Sequence, residues 1–326
     1  MSQVHAINTT GDRGGLPQRV HLREVGPRDG FQNEPEVLAT ADKVALIEAL
    51  ARSGITRLEV TSFVRAEVIP QLADAAQVLR TLELPDAVSV SVLIPNERGL
   101  EQALLVRERF DEVNVFLSAS EAHNRHNVNR SVDQSLDGIG RLLARAGDAG
   151  LRRQGTIATA FGCPYEGRVE PRRVFEIARA LRDAGCEEIA FGDTTGMANP
   201  LQVADFFGGA RAALGEQVEL TAHFHNTRGQ GLANVFAALQ AGVTSFESSF
   251  GELGGCPSGG PDGQPATGNI ATEDLVSMLH EMGVETGIDL DRLLDATRTV
   301  RDLLGRPLGS HVLTAGPVAW SAPRPA

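Results

Sequence analysis

Apolar and polar positions along this chain follow one recurring unit. A helical stretch, with apolar residues three or four apart, closes on Ala-Gly or Ser-Gly. About three residues later a β-branched run begins, as in ALARSGITRLEVTS, ALRDAGCEEIAFGD and ALQAGVTSFESSF. Glycine at a helix end suits the left-handed C′ position, and a short apolar run after it suits a buried parallel strand. On this pattern strands are expected near Val20–Val25, Arg57–Ser62, Val88–Ile94, Glu112–Ser118, Thr156–Phe161, Glu188–Phe191, Val218–Phe224 and Ser245–Ser249. Helices fill the gaps. Thr40 is expected to cap a helix running from Ala41 to about Arg52. Asn199 followed by Pro200 opens another, and Thr272 with Glu273 and Asp274 a third.

Strands alternating with helices at about 30 residues per unit predict an α/β fold, a (β/α)8 TIM barrel. A doubly wound sheet is the second choice, and it usually needs a Gly-rich first turn that is not found here. A further helix near Asp289–Leu304 is expected to pack on the barrel as a C-terminal extension. The expected organisation is an arm at 1–18, the barrel at 19–287, and a helical extension with a tail at 288–326.

Composition narrows the partners. The formal net charge of −12 argues against nucleic acid, because phosphate binding needs a basic face. Three sparse cysteines, Cys163, Cys186 and Cys256, suggest a reducing compartment, and the expected location is the cytoplasm. The stretch MSQVHAINTTGDRGGLPQR lacks an apolar core and reads as a disordered arm, not a targeting signal. No segment approaches a membrane span.

Barrel enzymes place their chemistry at the carboxyl ends of the strands. Here those ends carry Arg28-Asp29 after the first strand, Glu59, Thr61 and Ser62 on the second, and Asp193-Thr194-Thr195 on the sixth. The seventh carries His223-Phe-His225, and Gly254-Gly255-Cys256-Pro257 follows the eighth. Strand period is two, so His223 and His225 point to the same side, which inside a barrel is the axis. Two inward imidazoles and an aspartate from another strand make a divalent-metal site. Taken singly, each feature has a plainer reading. The histidines could be hydrogen-bonded core residues, Arg28-Asp29 a surface ion pair, and Cys256 a small residue in a tight turn.

Several motifs in one order carry more weight: EVGPRDGFQNE, LEVTSFV, VNVFLSASEAHNRHNVN, FGCPYEG, FGDTTG, AHFHNTRGQGLAN, GELGGCP and TGNIATEDLV. From about Val20 to Gly287 the chain resembles the hydroxymethylglutaryl-CoA lyase family of barrel metallolyases. The resemblance implies cleavage of a 3-hydroxy-3-methylglutaryl-CoA-like thioester by retro-Claisen chemistry to acetyl-CoA and acetoacetate. It implies Mg2+ or Mn2+ held by Asp29, His223, His225 and Asn269. Arg28, Cys256 and His223 are implied as catalytic groups, with Glu59 and Asp193 as supporting carboxylates. Arg28, Gln32, Ser62, Asn129 and Thr195 are the residues expected to bind substrate. A homodimer or higher homo-oligomer is the expected assembly.

The chain departs from the family's usual form in places. Asn226 and Arg228 stand where Asp and Tyr are usual, Pro35 follows Asn33-Glu34, and the insert SGGPDGQPATG lengthens the stretch between Cys256 and Asn269. These positions lie on loops expected to touch substrate. They leave two alternatives open: a lyase for a related thioester such as citramalyl-CoA, or a synthase condensing an acyl-CoA with a keto acid.

Overall fold

The computed structural model describes residues 15–255 and 268–319. Eight strands close into a parallel barrel in sequence order: β1 (His21–Glu24), β2 (Arg57–Ser62), β3 (Ser89–Leu93), β4 (Glu112–Ser118), β5 (Arg152–Ala158), β6 (Glu188–Asp193), β7 (Glu219–Phe224) and β8 (Ser245–Ser248). β8 pairs with β1, so no strand edge is left open. The connecting helices are α1 (Thr40–Arg52), α2 (Ala75–Thr81), α3 (Glu97–Leu104), α4 (Glu121–Val128), α5 (Val132–Asp148), α6 (Pro171–Asp183), α7 (Pro200–Leu214), α8 (Gly231–Gln240) and α9 (Thr272–Glu281). Two more, α10 (Leu290–Leu304) and α11 (His311–Ala315), form the C-terminal extension. The barrel expected from the repeating unit is the fold observed. Among the described residues no helix is long and apolar enough to cross a membrane.

Between barrel and helices lies an aliphatic core with one aromatic cluster. Phe206 of α7 sits 4.6 Å from Phe161 and 5.1 Å from both Phe175 and Phe191, measured between ring centroids. It joins α6 and α7 to β6 through rings that are tilted or edge-on, the arrangement aromatic quadrupoles favour.

The lower part of the barrel interior is polar. Arg23 of β1 is buried on the axis and pairs with Glu112 at 2.5 Å and Glu188 at 2.9 Å. Arg57 adds a second cation, 2.5 Å from Glu188 and 2.8 Å from Glu219. Gln154 donates to Glu188 at 3.0 Å and Glu247 at 2.6 Å. This network corrects one expected element. β5 begins at Arg152, not Thr156, because Arg152, Arg153 and Gln154 form the ladder with β4 and Gln154 faces this buried polar layer. The apolar residues Ala160 and Phe161 lie beyond the strand's end.

Helix starts follow the sequence in part. Asn199 caps α7 by accepting from Gln202 N at 3.1 Å. Thr40 does not cap α1. Its hydroxyl donates to Asp74 at 2.7 Å, beside Lys43, and tethers α1 to the segment before α2. The extension is anchored at its far end. Asp274 of α9 accepts from Ser310 Oγ, His311 N and Val312 N at 2.7–2.9 Å, capping α11. Arg306 pairs with Glu34 at 2.6 Å, and Gly309 N donates to Gly251 O at 3.0 Å.

Candidate metal centre and active site

Four chain segments build the site at the carboxyl end of the barrel. After β1 the backbone makes one wide turn, with Asp29 N donating to Val25 O at 2.6 Å, and this turns Arg28 and Asp29 over the axis. β7 delivers His223, with His225 just past its end. The segment 268–271 lies alongside the ends of β7 and β8. Asn226 N donates to Gly268 O at 2.9 Å, and Ser249 N donates to Ile270 O at 3.1 Å. Asn269 is thereby bridged to His225. A break in register around Val60 separates Glu59 from Thr61 in β2. Such irregularities re-aim side chains, and Glu59 here meets Arg28.

Asp29, His223 and His225 each offer one ligand atom, all within 4.8 Å of one another, and all three are buried. The two imidazole Nε2 atoms are 3.1 Å apart. Adjacent ligands around one octahedral cation of this size stand roughly 3 Å apart. Asn269 donates through Nδ2 to Asp29 Oδ2 at 2.7 Å and to Leu253 O at 3.0 Å, while its buried Oδ1 has no hydrogen-bond partner among the described residues. An orphaned amide oxygen beside a carboxylate and two imidazoles is the donor set of a divalent cation. Burial alone would raise the Asp29 pKa. The charges of Arg28, His223 and His225 and the bond from Asn269 hold it below the ordinary carboxylate value, so Asp29 is anionic at neutral pH.

Arg28 is clamped between Glu59 Oε2 and Asp29 Oδ1, each at 2.5 Å. Glu59 is fixed in turn by Asn114 at 2.7 Å. Gln32 donates to Asp29 Oδ1 at 2.8 Å. His223 Nδ1 lies 2.8 Å from Glu247 Oε2. Burial would raise Glu247, but the bond and charge of His223, with Arg23, hold its pKa down to about 2. Glu247 is therefore the acceptor and His223 Nδ1 carries the proton. Asp193 accepts from Met197 N at 2.7 Å and Ala198 N at 3.0 Å. Its Oδ2 is buried without a partner among the described residues. Burial, only partly opposed by those two N–H groups, pushes its pKa up to about 7.

A cavity of about 180 Å3 opens onto these groups. Its polar lining includes Arg28, Asp29, Gln32, Ser62, His223 and His225, and its apolar lining Val64, Leu93 and Phe116. Ser62 Oγ is buried with no protein partner among the described residues. Of the site residues expected from sequence, Arg28, Asp29, Gln32, Glu59, His223, His225 and Asn269 converge here, and Ser62 faces the same cavity. Asp193 and Thr195 are buried at the end of β6 beside it. Asn129 is not brought to the cavity. It is exposed, in the left-handed conformation that ends α4 with φ of 54°, while His123 and Asn127 of that helix line the cavity instead. Cys256 lies outside the described residues; the preceding Gly255 lines the cavity, and its carbonyl accepts from Asn33 at 2.9 Å. Sequence reading missed Glu247, Asn114, His123 and Asn127. Glu247 had a signal: it is a charged residue inside a strand, in register with His223 on the neighbouring strand.

The chain is similar over most of its length to known proteins. The HMGL-like family profile matches residues 19–300. The hydroxymethylglutaryl-CoA lyase of Bacillus subtilis is 42% identical over 91% of this chain and 97% of its own, and its crystal structure superposes with a TM-score of 0.87 over 92% of this chain and 98% of that one. The mitochondrial hydroxymethylglutaryl-CoA lyase of Bos taurus is 40% identical over 97% of this chain and 94% of its own. An HMG-CoA lyase from Acinetobacter baumannii, solved in complex with coenzyme A and 3-methylmalate, is 39% identical with a TM-score of 0.87, covering 97% of this chain and all of that one. With the barrel, the buried Asp-His-His cluster and the profile match spanning most of its length, the chain belongs to the HMGL-like family.

Proposed function

We propose that the protein is a divalent-metal-dependent carbon–carbon lyase that cleaves 3-hydroxy-3-methylglutaryl-CoA to acetyl-CoA and acetoacetate. The observation that carries this reading is the convergence of Asp29, His223 and His225 within 4.8 Å, in one cavity with a clamped arginine. Asp29, His223, His225 and Asn269 would hold Mg2+ or Mn2+. A cation held there would supply Lewis acidity that lowers the pKa of the substrate's tertiary hydroxyl.

The protein's own groups carry the remaining steps. His223 has one nitrogen committed to Glu247 and the other to the cation cluster. The hydroxyl proton therefore passes to Asp193, whose Oδ2 has no partner among the described residues and whose pKa of about 7 suits a general base at neutral pH. The electron pair of the breaking carbon–carbon bond moves to the thioester α-carbon, and the carbinol carbon becomes the ketone of acetoacetate. Arg28, held rigid by Glu59 and Asp29, donates to the enolate oxygen as charge develops there. Cys256 protonates the enolate carbon to give acetyl-CoA. The cavity of about 180 Å3 is smaller than the roughly 300–1,000 Å3 of a pocket enclosing a whole drug-sized ligand, so it takes the acyl end and leaves the nucleotide of CoA outside.

A shorter hydroxydicarboxylic thioester such as citramalyl-CoA is the competing substrate, favoured by the 3-methylmalate in the Acinetobacter relative. Mass-spectrometric assay of both thioesters, with EDTA and after adding Mg2+ or Mn2+, decides. The expected result is faster cleavage of hydroxymethylglutaryl-CoA, abolished by EDTA and restored by metal. Cleavage insensitive to EDTA, or none at saturating metal, refutes the reading. Arg28→Lys and Cys256→Ser are expected to keep metal binding and lose most turnover.

A further inference from the structure

Glu247 stands directly across from His223 in the β7–β8 register. Its Oε2 meets His223 Nδ1 at 2.8 Å; its Oε1 accepts from Gln154 Nε2 at 2.6 Å and lies 3.6 Å from Arg23 Nε. Glu247, Gln154 and Arg23 are all buried in the barrel interior. A neutral imidazole has one N–H and one lone pair, so the nitrogen that donates determines which nitrogen is left bare. Donation from Nδ1 to Glu247 leaves Nε2 bare, and Nε2 is the nitrogen lying 3.1 Å from His225 in the cluster with Asp29.

We propose that Glu247 is a positioning residue for the metal centre: it locks His223 in the Nδ1–H tautomer with Nε2 aimed at the cation, and Gln154 and Arg23 hold its carboxylate in place. This rests on reading Asp29, His223 and His225 as a cation site. A carboxylate behind a metal-bound histidine fixes ring orientation and raises ligand basicity, and its loss typically costs 10–100-fold in affinity. The arrangement links the active face to the buried ion pairs below it. Arg23, which also pairs with Glu112 and Glu188, keeps a negative charge behind His223 without solvent.

The test uses the full chain labelled with 15N-histidine, the His223 ring signals being assigned by their loss in His223→Gln. Glu247→Met removes the acceptor at similar length, Glu247→Gln keeps an oxygen but loses the charge, and Glu247→Asp shortens the reach by one methylene. Wild type is expected to show a protonated Nδ1 and a bare Nε2. Glu247→Met is expected to give mixed tautomers and Mn2+ binding weaker by about 10–100-fold in calorimetry. Glu247→Gln retains the tautomer with a smaller loss, and Glu247→Asp falls between. A folded Glu247→Met protein with an unchanged His223 tautomer and Mn2+ affinity within twofold of wild type overturns the proposal. If Glu247→Met does not fold, wild-type Mn2+ affinity in Glu247→Asp overturns it instead. Neither readout uses turnover, so a failure of the lyase reading leaves this test intact.

Discussion

Replacing Gly254 by alanine should damage the metal centre without touching any ligand chemically. Gly254 has φ of +102°, and a Cβ built on it would lie 2.5 Å from Asn269 Nδ2, 2.9 Å from Asp29 Oδ2 and 3.1 Å from Asp29 O. Ordinary contact with such atoms needs about 3.5 Å, so the methyl overlaps two proposed ligands by up to about 1 Å. Functional geometry of this kind tolerates displacements of only about 0.5 Å. The strained φ adds about 1–3 kcal/mol of global destabilisation, which must be separated from the local effect. Gly229→Ala supplies the control: it also has positive φ, +68°, but nothing lies within 4 Å of its Cβ. The assay is calorimetric Mn2+ titration of both variants, with thermal unfolding in the absence of metal. Gly254→Ala is expected to bind Mn2+ at least tenfold more weakly, a loss of about 1.4 kcal/mol or more. Gly229→Ala should stay within twofold of wild type despite a similar fall in stability. Equal Mn2+ affinity in the two variants refutes the packing argument.

Three further outcomes are expected. Phe206→Ala empties the centre of the aromatic cluster and should cost about 3–5 kcal/mol in urea unfolding, with Mn2+ affinity retained in the folded fraction. Glu24 is buried, and burial, opposed by bonds from Thr272, Gly26 and Phe250, pushes its pKa up to about 8. It is then protonated in the folded protein but ionised when unfolded above about pH 4.3, so unfolding releases a proton between those values and stability falls as pH rises through that window. Glu24→Gln should remove that part of the decline, and parallel pH–stability curves for wild type and variant would contradict the assignment. Asp274→Ala leaves His311 N and Val312 N at the start of α11 without their acceptor, and amide hydrogen exchange at residues 310–315 should accelerate at least tenfold while the barrel strands remain protected.

Much of this protein was written into local pattern. The Ala-Gly and Ser-Gly helix ends followed by β-branched runs specify a parallel α/β repeat, because helix termination and strand burial are decided within about ten residues. The spacing of His223 and His225 places both imidazoles on one face by strand period alone. Tertiary structure decided the rest. Asp29 and Asn269 are 240 positions apart, and only closure of β8 onto β1 brings them within 2.7 Å. The buried charges show the same limit. Arg23, Glu112, Glu188 and Glu247 each look like solvent-facing positions when read along a single strand, and by the same reading β5 was expected to begin after its polar residues. In a closed cylinder the face opposite the helices is the axis, not water. There Arg23 of β1 meets the carboxylates that β4, β6 and β8 bring to the same axis. A sequence determines which residues alternate along each strand. Whether the inward face is wet, apolar or charge-paired depends on what the other strands bring to the same axis.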